Sequence, residues 1–363
     1  MENCYKRTLR KSEEALYKLS SLYEGAGYEK YKMRKFEEYS LYSDNKSFLN
    51  SDRIITFSDI GGKLLALKPD VTLSIAKNYT SGEQTKVYYN ENVYRMSRET
   101  KEYTEITQIG LELIGQCDLY SMCEVLSLAA DSLACYDKNY MIEISHMGFI
   151  SGLFEALALS DEVKKALITA INKKAPHELQ RVCEEYNLPG ASAKLIKGLA
   201  TLSGDYVSTI KKADEFAVNE KMTSAIAQLE AIRKILGDEH LRLDFSNIND
   251  DGYYNGIIFT GYINGVPKVV LSGGRYDKLM EKLGKKAEAI GFAVYIGEIE
   301  KHIKDDIKYD ADILLLYGDD DRAQDVYKAV RALKKDGSSV RAQKTAGKIR
   351  CKKTVSLEDV CCE

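Results

Sequence analysis

Thr104-Glu-Ile-Thr-Gln-Ile-Gly-Leu-Glu-Leu-Ile-Gly115 is the stretch on which the fold turns. Side chains along a β-strand point alternately to opposite faces. One face of this strand carries Thr107, Ile109, Leu111 and Leu113 and is suited to packing on helices. The other carries Ile106, Gln108, Gly110, Glu112 and Ile114. At roughly 3.3 Å per residue, Gln108 and Glu112 stand about 13 Å apart at Cα. Gly110 lies between them and offers no side chain, which leaves a shallow bay where a small ligand can lie flat on the sheet. A half-buried strand with a solvated polar face is the plainer reading of this stretch taken alone.

Upstream, residues 86–96 form a second β-rich run, separated from 104–114 by the charged loop Arg98-Glu-Thr-Lys-Glu102. Arg53–Phe57 and Lys63–Leu67 read as two short strands around a glycine turn. Downstream, residues 118–135 place Leu119, Met122, Leu126, Ala130 and Leu133 on one helical face, as residues 6–24 do with Leu9, Leu16, Leu19 and Tyr23. From about 150 to 240 Ala, Leu, Lys and Glu dominate, with breaks at Pro176 and Pro189-Gly190, which predicts a helical insertion. A hairpin is predicted from Ile257–Ile263 and Lys268–Ser272 around Asn264-Gly265. Gly273-Gly274 then leads into a helix starting at Arg275. The end of the chain reads as strand 313–316, helix 322–335 and strand 338–343.

Hairpin-linked strands with helices gathered between and around them predict an α+β protein on a mainly antiparallel sheet. The expected division is a domain of residues 1–305, including the insertion at about 150–240, and a short C-terminal α/β unit of residues 306–363. A doubly wound Rossmann arrangement is excluded, because βα units do not alternate and no glycine loop follows a first strand.

The chain has 363 residues, with 52 basic and 55 acidic side chains for a net charge of −3, which excludes a generally basic nucleic-acid binder. No apolar run reaches the roughly 18 residues of a membrane span. Residues 1–19 lack the continuous apolar core of a secretory signal. A cytoplasmic protein without a membrane partner is therefore expected. The 8 cysteines form no C-x-x-C pair and the 4 histidines lie far apart in sequence. That predicts no metal site, no cofactor and no Ser/His or Cys/His catalytic pair.

Two further segments join the polar face of the central strand. Lys68-Pro69-Asp70-Val71-Thr72 supplies a carboxylate that can bind an ammonium and a hydroxyl that can anchor a carbonyl or an amine. Asp251-Gly252-Tyr253-Tyr254-Asn255-Gly256 opens the later hairpin with paired tyrosines, or is simply a packed turn. A carboxylate, an amide and phenols converging on one sheet suit an amino acid with an ammonium and a polar ring. Histidine fits, because its imidazole can donate to Glu112 and accept from a hydroxyl.

These residues resemble a known family. Val93-Tyr94-Arg95 with Gln108-Ile-Gly-Leu-Glu112 resembles the motif 2 hairpin of class II histidyl-tRNA synthetases. Leu67–Thr72 is similar to their Leu-Arg-Pro-Glu/Asp-x-Thr segment, Gly252–Gly256 and Gly273–Leu279 to their two histidine-specific signatures, and Gly291-Phe292-Ala293 to the opening of motif 3. The segments occur in the same order through about residues 5–150 and 240–300. The resemblance implies a class II synthetase-like antiparallel sheet flanked by helices, usually dimeric. It also implies a histidine site of Asp70, Thr72, Arg95, Gln108, Glu112, Tyr253, Tyr254 and Tyr276, with Arg95 placed to hold the carboxylate.

The departures from that family bear on chemistry. Adenylation needs cations to neutralise the triphosphate. The position of the late motif 3 arginine falls at or beside Glu298. A second arginine position falls at about Asn249, followed by Asp250 and Asp251, and the adenine-holding glutamate of motif 2 is Ser97. Lys68 replaces the usual arginine before Pro69, keeping the charge and losing the bidentate fork. The segment after Asp312 is shorter than the anticodon-binding domain that ends the synthetases, so tRNA binding is not expected. Arg341–Lys353 holds 6 basic and no acidic residues, compatible with a solvated tail or a weak RNA contact.

This combination resembles the regulatory-subunit family of ATP phosphoribosyltransferase, synthetase-like paralogues that have lost aminoacylation. That resemblance implies no catalysis of its own and a role in histidine biosynthesis. It implies a partner in the short-form catalytic subunit, a homodimer within a hetero-oligomer, and free histidine as effector. An active histidyl-tRNA synthetase and a synthetase-like protein serving another partner remain the alternatives.

Overall fold

The computed structural model describes residues 11–45, 54–80, 82–97, 100–248, 254–302, 309–335 and 337–361. The chain divides into two compact units, one of Ala15–His302 and one that contains the described residues 309–361.

The strands of the larger unit are β1 (Glu29–Lys30), β2 (Phe36–Glu38), β3 (Thr56–Ser58), β4 (Leu64–Leu67), β5 (Thr85–Met96), β6 (Tyr103–Gly115), β7 (Tyr140–His146), β8 (Ser203–Asp205), β9 (Leu241–Asp244), β10 (Ile257–Ile263), β11 (Leu271–Arg275) and β12 (Glu288–Tyr295). Nine of them form one sheet in the order β1-β5-β6-β12-β11-β10-β7-β9-β8. Its pairs are antiparallel except β1–β5 and β7–β9, which are parallel. β2, β4 and β3 form a separate antiparallel sheet.

The stretch Thr104–Gly115 lies in β6, inside the large sheet between β5 and β12. Its apolar residues Ile109, Leu111 and Leu113 are fully buried. Helices Lys11–Gly25 and Leu119–Ala134 meet on that side, where the Tyr23 hydroxyl and Ser132 Oγ share a 2.8 Å hydrogen bond. The Tyr23 ring packs on Phe292 of β12 at 6.0 Å between centroids. Asp118 caps the second helix by accepting from the Ser121 amide at 2.8 Å. Met122, Val125, Leu126, Ala129 and Leu133 turn inward at helical spacing. Each fully buried leucine of this kind contributes about 1.5–3 kcal/mol.

The opposite face builds a second core. Tyr89, Val93, Ile114 and Ala289 of the sheet pack against Leu73, Ile75 and Ala76 of helix Thr72–Asn78 and against Leu279 and Met280 of helix Asp277–Lys282. These two helices therefore bring the segments around Thr72 and Tyr276 onto the polar face of β6. The expected helical insertion is formed by Met147–Ala156, Asp161–Asn172, Pro176–Glu185, Gly190–Ala200, Tyr206–Phe216 and Glu220–Leu236, with Pro176 at a helix start and Pro189 at an N-cap.

Two expectations need correction. The second strand of the late hairpin is not 268–272 but Leu271–Arg275, so Gly273 and Gly274 lie inside the strand and the helix starts at Asp277. Both glycines are needed there for close approach. A β-carbon on Gly274 would stand 2.7 Å from the Ile257 carbonyl oxygen and from the Tyr254 ring. Strands β1, β2, β7, β8, β9 and β12 have no counterpart among those expected from the sequence; of these β1, β2 and β8 have only two or three residues, too few to show an alternation.

In the C-terminal unit β13 (Ala311–Leu316), β14 (Val340–Gln343) and β15 (Cys351–Ser356) form a parallel sheet in the order β14-β13-β15. Helix Ala323–Leu333 packs on it through Ala329 against Leu315 and Val355. The basic stretch 341–353 is less exposed as charge than its composition suggests. Lys344 pairs with Asp319, Arg350 with Asp310 at 3.2 Å and Lys352 with Asp312 at 2.7 Å.

Candidate functional site

Register decides what shares the polar face. Gln108 pairs with Tyr295, Gly110 with Ala293 and Glu112 with Gly291 across β6 and β12. Gly291 in turn pairs with Gly274 across β12 and β11. Directly paired residues lie on the same face of a sheet, so Gly110, Gly291 and Gly274 make a floor bare of side chains. Neighbouring groups lie on that floor. Glu112 extends across Gly291, where a β-carbon would overlap its Oε2. The Tyr254 ring covers Gly274, and the Tyr89 hydroxyl covers Gly110, 2.6 Å from where a β-carbon would be.

Glu112 is 2% exposed. Its Oε1 accepts from Thr72 Oγ1 at 2.6 Å and its Oε2 from the Tyr276 hydroxyl at 2.7 Å. Burial pushes its carboxyl up to about 8, against the opposing pull of those two hydroxyls, and Asp70 adds to the rise. Gln108 is 4% exposed, and its Nε2 has no hydrogen-bond partner. A buried donor left unpaired costs about 1–3 kcal/mol, which a ligand bringing an acceptor would recover.

Asp70 is half-buried and accepts from the Leu73 amide at 2.8 Å, at the start of its helix. It lies 3.8 Å from Arg95 Nη2, while Arg95 Nε donates to the Pro69 carbonyl at 2.5 Å. Arg95 is thereby aimed by the segment that also carries Thr72. The Tyr254 hydroxyl is raised by burial, then by Tyr295, Glu112 and Asp70, with a hydrogen bond to Ser272 acting the other way. The Tyr295 hydroxyl is raised by burial and lowered by Arg95 and Ser272. These mutual effects place the two phenols, the two carboxyl groups and the guanidinium in one electrostatic neighbourhood.

Asp70, Thr72, Arg95, Glu112, Tyr254 and Tyr276 thus come together, with Gln108 on the same face. Tyr253 lies outside the described residues, as do Asn249, Asp250 and Asp251. The open bay expected over Gly110 is not there, because Tyr89 from β5 fills it. The alternative of a solvated polar face fails as well, since Gln108 and Glu112 are buried. Lys68 is tied to this face rather than free on it, because its partner Glu91 pairs with Gln108 across β5 and β6. It is 2% exposed and ion-paired with Glu91, which also accepts from the Met33 amide at 3.2 Å. Glu298 is no bare acid either. It accepts from Lys301 at 2.6 Å and lies 3.9 Å from Lys268, and its carboxyl is held below the usual range chiefly by Lys301. Ser97 closes the loop after β5, its amide donating to the Glu102 carbonyl at 2.8 Å.

Tyr89, Ser272 and Tyr295 are members that sequence reasoning missed. The alternation of β5 and the two residues after Gly291-Phe292-Ala293 carried the signal, but only strand register shows which residues they oppose. Among the described residues no three His, Cys, Asp or Glu side chains are grouped to hold a metal ion. No described helix is long and apolar enough to cross a membrane.

The sequence profile of the histidyl-tRNA synthetase family matches residues 1–299. An ATP phosphoribosyltransferase regulatory subunit from Lactococcus lactis subsp. cremoris is 31% identical over 307 residues, covering 82% of this chain and 93% of that one. Among solved structures, an ATP phosphoribosyltransferase regulatory subunit/histidyl-tRNA synthetase from Bacillus halodurans superposes with a TM-score of 0.81 at 22% identity, over 95% of this chain and 93% of that one. A chain of the ATP phosphoribosyltransferase (HisG:HisZ) complex from Thermotoga maritima gives a TM-score of 0.60 at 18% identity, over 78% and 97%. At these identities the structural likenesses establish the class II synthetase-like fold.

Proposed function

The chain belongs to the histidyl-tRNA synthetase family, on the branch of the ATP phosphoribosyltransferase regulatory subunits, and from that premise we propose that it binds free histidine and passes the signal to a catalytic ATP phosphoribosyltransferase subunit. The observation that carries the reading is Gln108 Nε2, a buried donor without a partner on the same face as Glu112. Histidine brings acceptors for Gln108 and Arg95 in its carboxylate and ring nitrogen. It brings donors for Asp70 and Glu112 in its ammonium and ring N–H. Thr72 and Tyr276 hold Glu112 in place for that contact.

The chain itself is proposed to catalyse nothing. Ser97 replaces a group expected on adenine, and Asn249 and Glu298 stand where cations are expected on the triphosphate. A pocket that recognises an amino acid without activating it has its effect through another chain. The working unit is proposed as a homodimer of this chain within a hetero-oligomer, with no role for tRNA. Histidine then acts by binding active and inactive assemblies unequally, and a coupling of about 1–3 kcal/mol changes activity about 5- to 150-fold.

The test is co-purification with the short catalytic subunit from the same genome, followed by phosphoribosyl-ATP formation against a histidine titration. A complex no more active than the isolated catalytic subunit, and indifferent to histidine, would reject the regulatory role. Histidine sensitivity unchanged by Glu112→Ala would move the sensor out of this pocket.

A further inference from the structure

A cavity of about 360 Å³ lies in the helical insertion, bounded by helices Asp161–Asn172, Pro176–Glu185 and Gly190–Ala200 and by Ser203 and Ser246. We propose that it is a binding site for a small organic monocarboxylate with an apolar body. Its apolar lining includes Ile171 and Leu179, both buried. Its titratable lining residues are Lys174, His177 and Lys197, with no Asp or Glu among them.

The acids nearby are already engaged. Asp244, 3% exposed, holds Lys174 Nζ at 2.9 Å and the Ser246 hydroxyl at 2.5 Å. Glu178 is taken by Lys173 at 2.9 Å, and Glu184, which accepts from Gln180, lines the neighbouring depression and not this cavity. Lys174 is therefore neutralised by Asp244, whereas Lys197 has no ion-pair partner among the described residues. One uncompensated lysine suits one negative charge, because a doubly charged phosphate would stay half-neutralised over an apolar floor. The histidine ring of residue 177 adds an N–H donor at the same opening. The apolar floor takes the ligand's body, and burying that surface contributes affinity without adding charge. Nothing in this cavity touches Glu112 or Gln108, so the site is separate from the one proposed for histidine.

The test uses the full chain, which has 0 tryptophans against 25 tyrosines. Indole-3-acetate can then be followed by its own fluorescence anisotropy, excited beyond the tyrosine absorption, beside its neutral amide. The acid is expected to bind at least about tenfold more tightly than the amide, a difference of about 1.4 kcal/mol. Lys197→Gln, an exposed position, is expected to weaken the acid at least about fivefold while leaving the amide unchanged, as a lost charge-assisted contact would. Ala200→Phe fills the cavity and is expected to abolish both, with thermal melting to confirm that the variant folds. Equal binding of acid and amide, failure of both to bind, or an acid affinity indifferent to Lys197→Gln would each overturn the proposal.

Discussion

Glu112 lies across Gly291 so closely that residue 291 cannot carry a β-carbon without displacing it. The carboxyl is fixed from the other sides by Thr72 and Tyr276 at 2.6 and 2.7 Å, so the displacement has no free direction. Gly291→Ala is expected to lower stability by about 1–3 kcal/mol, the usual cost of overpacking. Histidine affinity should fall at least about tenfold through loss of the aligned carboxyl. Urea unfolding and calorimetry measure the two effects. Retention of full affinity in the variant would show that Glu112 is not a ligand contact.

Glu112 also makes stability depend on pH. Burial raises its carboxyl from 4.5 to about 8 in the folded chain. Between those values the folded state holds a proton that the unfolded state has released. Fewer protons on the unfolded chain mean that stability falls as pH rises through this window and levels off above it. The slope from this one group is at most about 1.4 kcal/mol per pH unit. The stability difference between the unmodified chain and Glu112→Gln, measured by urea midpoints at several pH values, should shrink steadily from the acid side to about pH 8. A difference that stays constant would mean Glu112 titrates as an ordinary carboxyl.

Legibility in the sequence followed the range of each interaction. β6 was readable because alternation is local, and Gln108, Gly110 and Glu112 fell on one face by counting alone. The helices around Leu126 and Leu19 were readable for the same reason. What Gly110 faces was not, because Tyr89 reaches it only through the β5–β6 register. Tyr295 opposite Gln108 depends on pairing with a strand from the far end of the domain. The partner of Lys68 was not legible either, because Glu91 belongs to β5 and meets the lysine only through tertiary placement. β15 was hidden because it is an edge strand whose Lys352 and Lys353 are exposed, which erases the apolar pattern.

Aminoacyl transfer is expected to be absent. Two positions where the resemblance calls for arginine hold Asn249 and Glu298, and Glu298 is already engaged by Lys301 and near Lys268. Each missing contact to developing phosphate charge is worth roughly 3 kcal/mol, about a hundredfold in rate. Histidine-dependent exchange of pyrophosphate into ATP should therefore stay at background with the purified chain. A clear rate above background would return the protein to the synthetases.

Gln108 offers a prediction in which stability and binding move in opposite directions. Its Nε2 is buried and unpaired in the free chain, so the amide is costly to fold around and useful only when a ligand supplies an acceptor. Gln108→Leu keeps the size close and removes the orphaned donor. Stability of the free chain should hold or rise by up to about 1–3 kcal/mol, the penalty such a donor carries. Histidine affinity should fall, since the contact that satisfied the donor is gone. A purely structural glutamine would lose stability on substitution and leave affinity alone. Urea midpoints and histidine calorimetry on the same preparation separate the two. A variant that is both less stable and equally tight for histidine would remove Gln108 from the site and leave Glu112 and Asp70 to define it.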